Sequence, residues 1–159
     1  RQRLLEEAPL YDYTLIDCPP SLGLLTINAL AAVEEVLIPL QPHFLALHGL
    51  SKLLETIELV AERLNDRLRL TGVVLCMYDQ TTRLAAEVGA DVESYFRSQG
   101  ERPACWSGAT VFQTRIRRNI RLAEAPSHGQ TIFQYAPGSN GADDYEALAK
   151  ELHHHQAPA

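Results

Sequence analysis

Tyr11-Asp-Tyr-Thr-Leu-Ile-Asp-Cys-Pro-Pro-Ser-Leu-Gly23 is the stretch on which the reading of this chain turns. Tyr13 to Ile16 has the character of a buried strand, and it ends on a carboxylate, Asp17. Open α/β sheets bind ligands beyond the carboxyl ends of their parallel strands. An acid placed there can hold hydrated Mg²⁺ against a phosphate chain. Pro19 and Pro20 keep the chain from turning straight into a helix, because the residue before a proline is pushed out of the α region and proline has no N–H to give. The result is a stiff loop with Gly23 at its far end. Taken alone, an apolar run ending in Asp fits a metal-holding acid and an ordinary strand terminus equally well.

Outward from this stretch, apolar spacing predicts alternating strands and helices. Arg1 to Pro9 reads as the tail of a helix stopped by proline. Leu22 to Val33 carries helical spacing, and Glu35 to Leu40 is a short apolar run that reads as a second buried strand. Phe44 to Leu64 is the clearest amphipathic helix, with Leu47, Leu50, Leu54, Ile57, Val60, Ala61 and Leu64 recurring at three and four. Leu70 to Met77 reads as a third strand. Thr82 to Phe96 reads as a helix capped by Thr81 or Thr82. Val111 to Ile116 and Thr131 to Tyr135 are predicted strands, and Gly141 to Leu152 a last helix. The alternation implies an α/β fold with a doubly wound, mostly parallel sheet.

The 159 residues suit one domain, and the 46% apolar fraction is ordinary for a globular chain. No apolar run reaches membrane-spanning length. Cys18, Cys76 and Cys105 form no Cys-x-x-Cys pair, and Cys18 and Cys76 read as small buried apolar residues in a reducing cytoplasm. A net charge of −6 argues against a protein that coats nucleic acid over its whole surface, so any DNA contact comes from a local patch.

The string YDYTLIDCPPSLGLLTIN, Tyr11 to Asn28, closely resembles the Walker B and switch II segment of the ParA/Soj partition ATPases, within the MinD-like deviant Walker P-loop group. Further segments follow in the family's order. His43-Phe-Leu-Ala-Leu-His-Gly-Leu-Ser-Lys-Leu-Leu54 looks like its aromatic-Ala-Leu-Glu-Gly-Leu helix start, and Met77-Tyr-Asp79 like its strand-end Met-Tyr-Asp. Arg118-Asn-Ile-Arg-Leu-Ala-Glu-Ala-Pro-Ser127 is similar to its Arg-Asn-Val-Arg-Leu-Ser-Glu-Ala-Pro-Ser signature, and Gly141 to Glu151 to its closing helix. The segment from 97 to 110, marked by Gly100, Pro103 and Gly108, departs from the family outline and reads as a loop insertion. Within it, Trp106 reads as folded back over the domain surface.

No Gly-x-x-x-x-Gly-Lys-Ser/Thr occurs in the sequence. The resemblance therefore implies that residues 1–152 form the C-terminal part of a partition-type ATPase domain of P-loop NTPase type. The P-loop unit and switch I would lie upstream, and residues 153–159 would form a flexible tail. It also implies that no catalytic set is complete within this sequence.

The resemblance assigns roles residue by residue. Asp17 would bind Mg²⁺ through a water, and Pro19, Pro20 and Gly23 would form switch II, which responds to the γ-phosphate of ATP. Arg118 and Asn119 would lie at the nucleotide base, with Arg117 standing where the family has proline. Arg121 matches an arginine that contacts DNA non-specifically, and guanidinium suits phosphate. A second such arginine belongs where this chain has Thr81, so either Arg83, two positions on, substitutes for it in the DNA contact or that contact is weakened. Arg115 and Arg117 read instead as a solvated face paired with carboxylates.

For the whole protein the resemblance implies an ATP-dependent homodimer, hydrolysis stimulated by a ParB-like partner, and a cytoplasmic, nucleoid-associated location. The acidic stretch Asp143 to Leu152 and a polar end give no membrane helix. His153 to His155 are read as no metal site. Two other readings stay open: a P-loop-less, non-catalytic dimerisation or regulatory module, and a ParA-like ATPase that positions another cargo.

Overall fold

The computed structural model describes residues 11–19, 21–98 and 103–156. Its frame is β2, Arg69–Tyr78. Residues 70–75, Leu-Thr-Gly-Val-Val-Leu, are all buried, the near-continuous apolar run of a strand covered on both faces. The sheet among the described residues has β1 (Glu35–Leu40) beside β2, with two short strands, β3 (Thr110–Val111) and β4 (Ile116–Arg117), also paired to β2. Both short strands run parallel to it, Gly72 opposite Thr110 and Cys76 opposite Ile116. Helices follow as α1 (Leu24–Ala32), α2 (Ala46–Arg63), α3 (Arg83–Arg97), α4 (Ile120–Glu124), a 3₁₀ turn (Ala125–His128), α5 (Ile132–Tyr135) and α6 (Asn140–Gln156). The architecture is α/β with parallel pairing, as the alternation predicts.

Two compact units divide the chain. The first comprises Arg1–Leu37, His48–Thr71 and Gly100–Ala109. Its buried side chains include Leu50, Leu54, Ile57 and Val60 of the α2 stripe, with Leu30, Leu68 and Leu70. Each such burial contributes roughly 1.5–3 kcal/mol. Asn65, 3% exposed, donates from Nδ2 to the Leu30 and Val33 carbonyls at the end of α1.

The second unit comprises Ile38–Leu47, Gly72–Gln99 and Thr110–Ala159. Leu75, Tyr78 and Ala85 form a buried cluster, with Leu40 and Val111 packed against it. Gly72 is required by close approach, since a Cβ there would sit 2.5 Å from the Thr110 carbonyl and 2.7 Å from the Phe112 ring. Thr82 caps α3, its hydroxyl accepting from the Ala85 N–H.

Three predicted strands need correction. Residues 13–16 form no strand among the described residues, and Tyr13, Leu15 and Ile16 are exposed. No described ladder flanks them, and an extended run without a ladder leaves its apolar side chains in water. The stretch 111–116 is broken, because the N–H groups of Gln113 and Thr114 donate to the Glu151 carboxylate instead of a neighbouring strand. Thr131 to Tyr135 is not a strand but the cap and turn of α5. A reciprocal capping box between Thr131 and Gln134 overrides the β-preferring side chains. At the other end, α6 runs through His153 to His155 and on to Gln156.

Candidate functional site

The described part of the Asp17 loop lies in the first unit. Asp17 is exposed, and its carboxylate has no hydrogen bond or ion pair among the described residues, so its oxygens are open to a hard cation. A lone acid fits a metal that takes its other ligands from water and phosphate, and no group of three or more His, Cys, Asp or Glu that could hold a metal occurs among the described residues. Pro19 is exposed, and Pro20 lies outside the described residues. Gly23 is the N-cap of α1 with φ −89°. Among the described residues, a Cβ there would meet only the Ser21 hydroxyl, at 3.8 Å. Among them, Gly23 is thus not held by local sterics.

The arginine-rich segment 115–121 lies in the second unit, and the structure sorts its arginines into two kinds. Arg115 and Arg117 are turned to the protein. The Arg115 guanidinium lies 4.5 Å from the centroid of the Tyr78 ring, donates to the Tyr78 hydroxyl at 2.7 Å and pairs with Glu93 at 3.1 Å. Arg117 grips Asp144 with Nε and Nη2, at 3.0 and 2.6 Å to Oδ1, while its backbone N–H donates to Oδ2 at 2.9 Å. That hydrogen bonding to Asp144 raises the Arg117 pKa above its ordinary value. Both arginines do pair with carboxylates, but they are only about a third exposed and Asp144 is 9% exposed. They are anchors of the segment and not a solvated face.

Arg118 and Arg121 point to solvent. Arg118 has no ion pair among the described residues, and its charge falls on Asp79. Its backbone N–H is tied to the Tyr78 carbonyl at 3.1 Å. Asn119 caps α4, Oδ1 accepting the Arg121 N–H at 2.8 Å, which leaves Nδ2 as a donor without a partner among the described residues. Arg121 bridges to Glu124 at 2.9 Å, and that bond raises its pKa; Glu124 also accepts from the Tyr135 hydroxyl. Arg118, Asn119 and Arg121 thus share one short turn, with both arginines exposed and Asn119 half-buried.

The turn after β2 is built by Asp79. Its Oδ1 accepts from both the hydroxyl of Thr81, at 2.6 Å, and the Thr81 N–H, at 2.9 Å, and these bonds hold the Asp79 pKa below the ordinary carboxylate value. Thr81 is therefore committed to the turn. Arg83 is 96% exposed on its side chain and only 4.0 Å from Glu87, a weak exposed pair that leaves it free to meet another anion. Met77, just before this turn, has φ +50° at a register shift in β2.

Sequence reasoning missed Asp144, Tyr78 and Glu93 as partners of the segment. One signal was available. Gly141, Asp144 and Leu148 share a helical stripe that the structure turns inward, and an acid on an apolar stripe calls for a cation.

A family model described as an AAA domain matches residues 2–70. The chain is 51% identical over 142 residues to the sporulation initiation inhibitor protein Soj of Bacillus subtilis, covering 89% of this chain and 52% of that protein. It is 45% identical over 158 residues to the chromosome partitioning protein ParA of Myxococcus xanthus, covering 99% and 52%. Among solved structures, cobyrinic acid a,c-diamide synthase from Mycobacterium smegmatis superposes with a TM-score of 0.72 at 30% identity, covering 97% of this chain and 51% of that one. The same enzyme has been solved with an ATP analog and magnesium. The chain spans about half the length of the curated relatives it matches.

Proposed function

The chain belongs to the ParA/Soj family, and from that premise we propose that it supplies the Asp17 loop and the arginine turn of an ATP-driven partition switch. In this reading Asp17 faces hydrated Mg²⁺ and the Pro19-Pro20-Gly23 loop responds to the γ-phosphate. Magnesium would supply charge neutralisation of the phosphates. Arg118 and Asn119 meet the nucleotide base, and Arg121 with Arg83 meets the DNA backbone non-specifically. ATP joins two copies into the DNA-binding dimer, and a ParB-like partner stimulates hydrolysis and release at the nucleoid.

The observation that carries the reading is the short turn of Arg118, Asn119 and Arg121, held from behind by Arg115 and Arg117. A guanidinium left without an ion pair next to a helix-capping amide offers donors to a polar, electron-rich ligand. The test is DNA binding with ATP and Mg²⁺ against salt concentration. Arg121→Ala should weaken binding to any sequence alike and lower the log–log salt slope by about one. An unchanged slope would remove Arg121 from the DNA contact. The sequence holds no phosphate-cradling Gly-rich loop with lysine, so the 159 residues alone should show no ATP turnover above background.

A further inference from the structure

We infer that the Arg117–Asp144 pair is a positioning device that fixes the Arg118–Asn119 edge for base recognition, an inference that rests on the base-contact reading above. Two facts separate it from a stability role. A buried ion pair contributes little net stability compared with apolar side chains of the same volume, because desolvation offsets the attraction. What it does contribute is geometry, and here the geometry is unusually complete. Arg117 offers Asp144 a guanidinium fork and a backbone N–H together, so both the side chain and the peptide are fixed on one carboxylate. That N–H belongs to the peptide between Ile116 and Arg117, one before the peptide that leads into Arg118. In the latter, the Arg118 N–H is fixed on the Tyr78 carbonyl.

Every other polar anchor of the segment also faces inward or along the chain. Arg115 is held by Tyr78 and Glu93, and Asn119 Oδ1 is spent on the Arg121 N–H. The exposed Arg118 guanidinium and the amide nitrogen of half-buried Asn119 remain without a hydrogen bond or ion pair among the described residues. A ligand meeting them would spend little on ordering the backbone that carries them. The role of Asp144 is therefore exerted through Arg117 and the peptide, without touching the ligand.

Base preference under saturation-transfer NMR tests this, comparing ATP with GTP on the wild-type protein and on three variants, with thermal melts alongside. Arg117→Ala strands a buried carboxylate and should melt lower. Asp144→Ala strands only a part-exposed guanidinium and should melt nearer the wild type. The double variant removes both charges and should recover most of the stability. If the pair positions the edge, the double variant still loses adenine-over-guanine preference by about fivefold, the weight of one hydrogen bond. If it recovers stability and preference together, the positioning role is overturned while the base-contact reading stands. If the wild type gives no base saturation with either nucleotide, the base-contact reading and the positioning role fall together.

Discussion

The Asn65 side chain closes the end of α1 from 35 residues away, its Nδ2 donating 2.9 Å to the carbonyl of Leu30. The same nitrogen reaches the Val33 carbonyl at 2.5 Å. Helix ends leave carbonyls unsatisfied, and here a buried amide satisfies two of them. Asn65→Ala should destabilise by about 1–3 kcal/mol, the cost of leaving buried polar groups unmet. Asn65→Asp should cost more, since it sets a carboxylate against those carbonyls. Denaturant titration reads both, and equal effects would contradict the donor role.

Gly72→Ala should cost roughly 3 kcal/mol, because the new methyl enters the Thr110 carbonyl and the Phe112 ring, and overpacking forces backbone shifts. Gly23→Ala has room and negative φ, so it should fold as the wild type does. Its effect should appear only in an ATP-dependent assay such as nucleotide-stimulated DNA binding. A large loss of melting temperature in Gly23→Ala would show a structural role instead.

Met77→Gly should leave stability unchanged or raise it by up to about 1 kcal/mol, since a left-handed backbone costs an L-residue roughly that much and glycine nothing. Met77 is 53% exposed, so little packing is lost. Met77→Val, β-branched at positive φ, should lower stability by about 1–2 kcal/mol. The two substitutions moving together in a denaturation series would refute the backbone argument.

Glu151 gives a pH dependence. Burial pushes its carboxyl up, but hydrogen bonds from Thr114 and the Gln113 backbone outweigh this, and the net pKa is lowered. A group whose folded pKa is depressed stabilises above its unfolded value and loses that contribution as pH falls through the folded one. Stability should therefore be fully present above about pH 5 and decline below the ordinary Glu value of about 4.3. Glu151→Gln should flatten that decline and cost about 1 kcal/mol at neutral pH, since one amide oxygen replaces two acceptors. A wild-type acid limb identical to that of Glu151→Gln would exclude the residue as its source.

The parts legible in the sequence were those governed by local pattern. The α2 stripe is buried at Leu50, Leu54, Ile57 and Val60, Leu47 and Ala61 are half-buried at its margins, and Leu64, just past the last helical residue Arg63, is exposed. The cap at Thr82 was legible because a hydroxyl beside an apolar periodic run has one obvious use. Thr131 to Tyr135 misled because threonine, isoleucine, phenylalanine and tyrosine favour strands, whereas the deciding residue was Gln134. In the candidate site, the arginines were visible as a cluster, but their division was not. Asp144 lies 27 residues from Arg117, and no local pattern couples positions that far apart.

The carboxylate of Glu151 also acts where a neighbouring strand would. Gln113 and Thr114 present two amide donors between β3 and β4, and a helix side chain occupies both. Open backbone donors along an extended stretch invite a foreign chain to add itself. By spending them on α6, the protein guards that margin against self-association, so a chain ending before Glu151 should aggregate as its concentration rises.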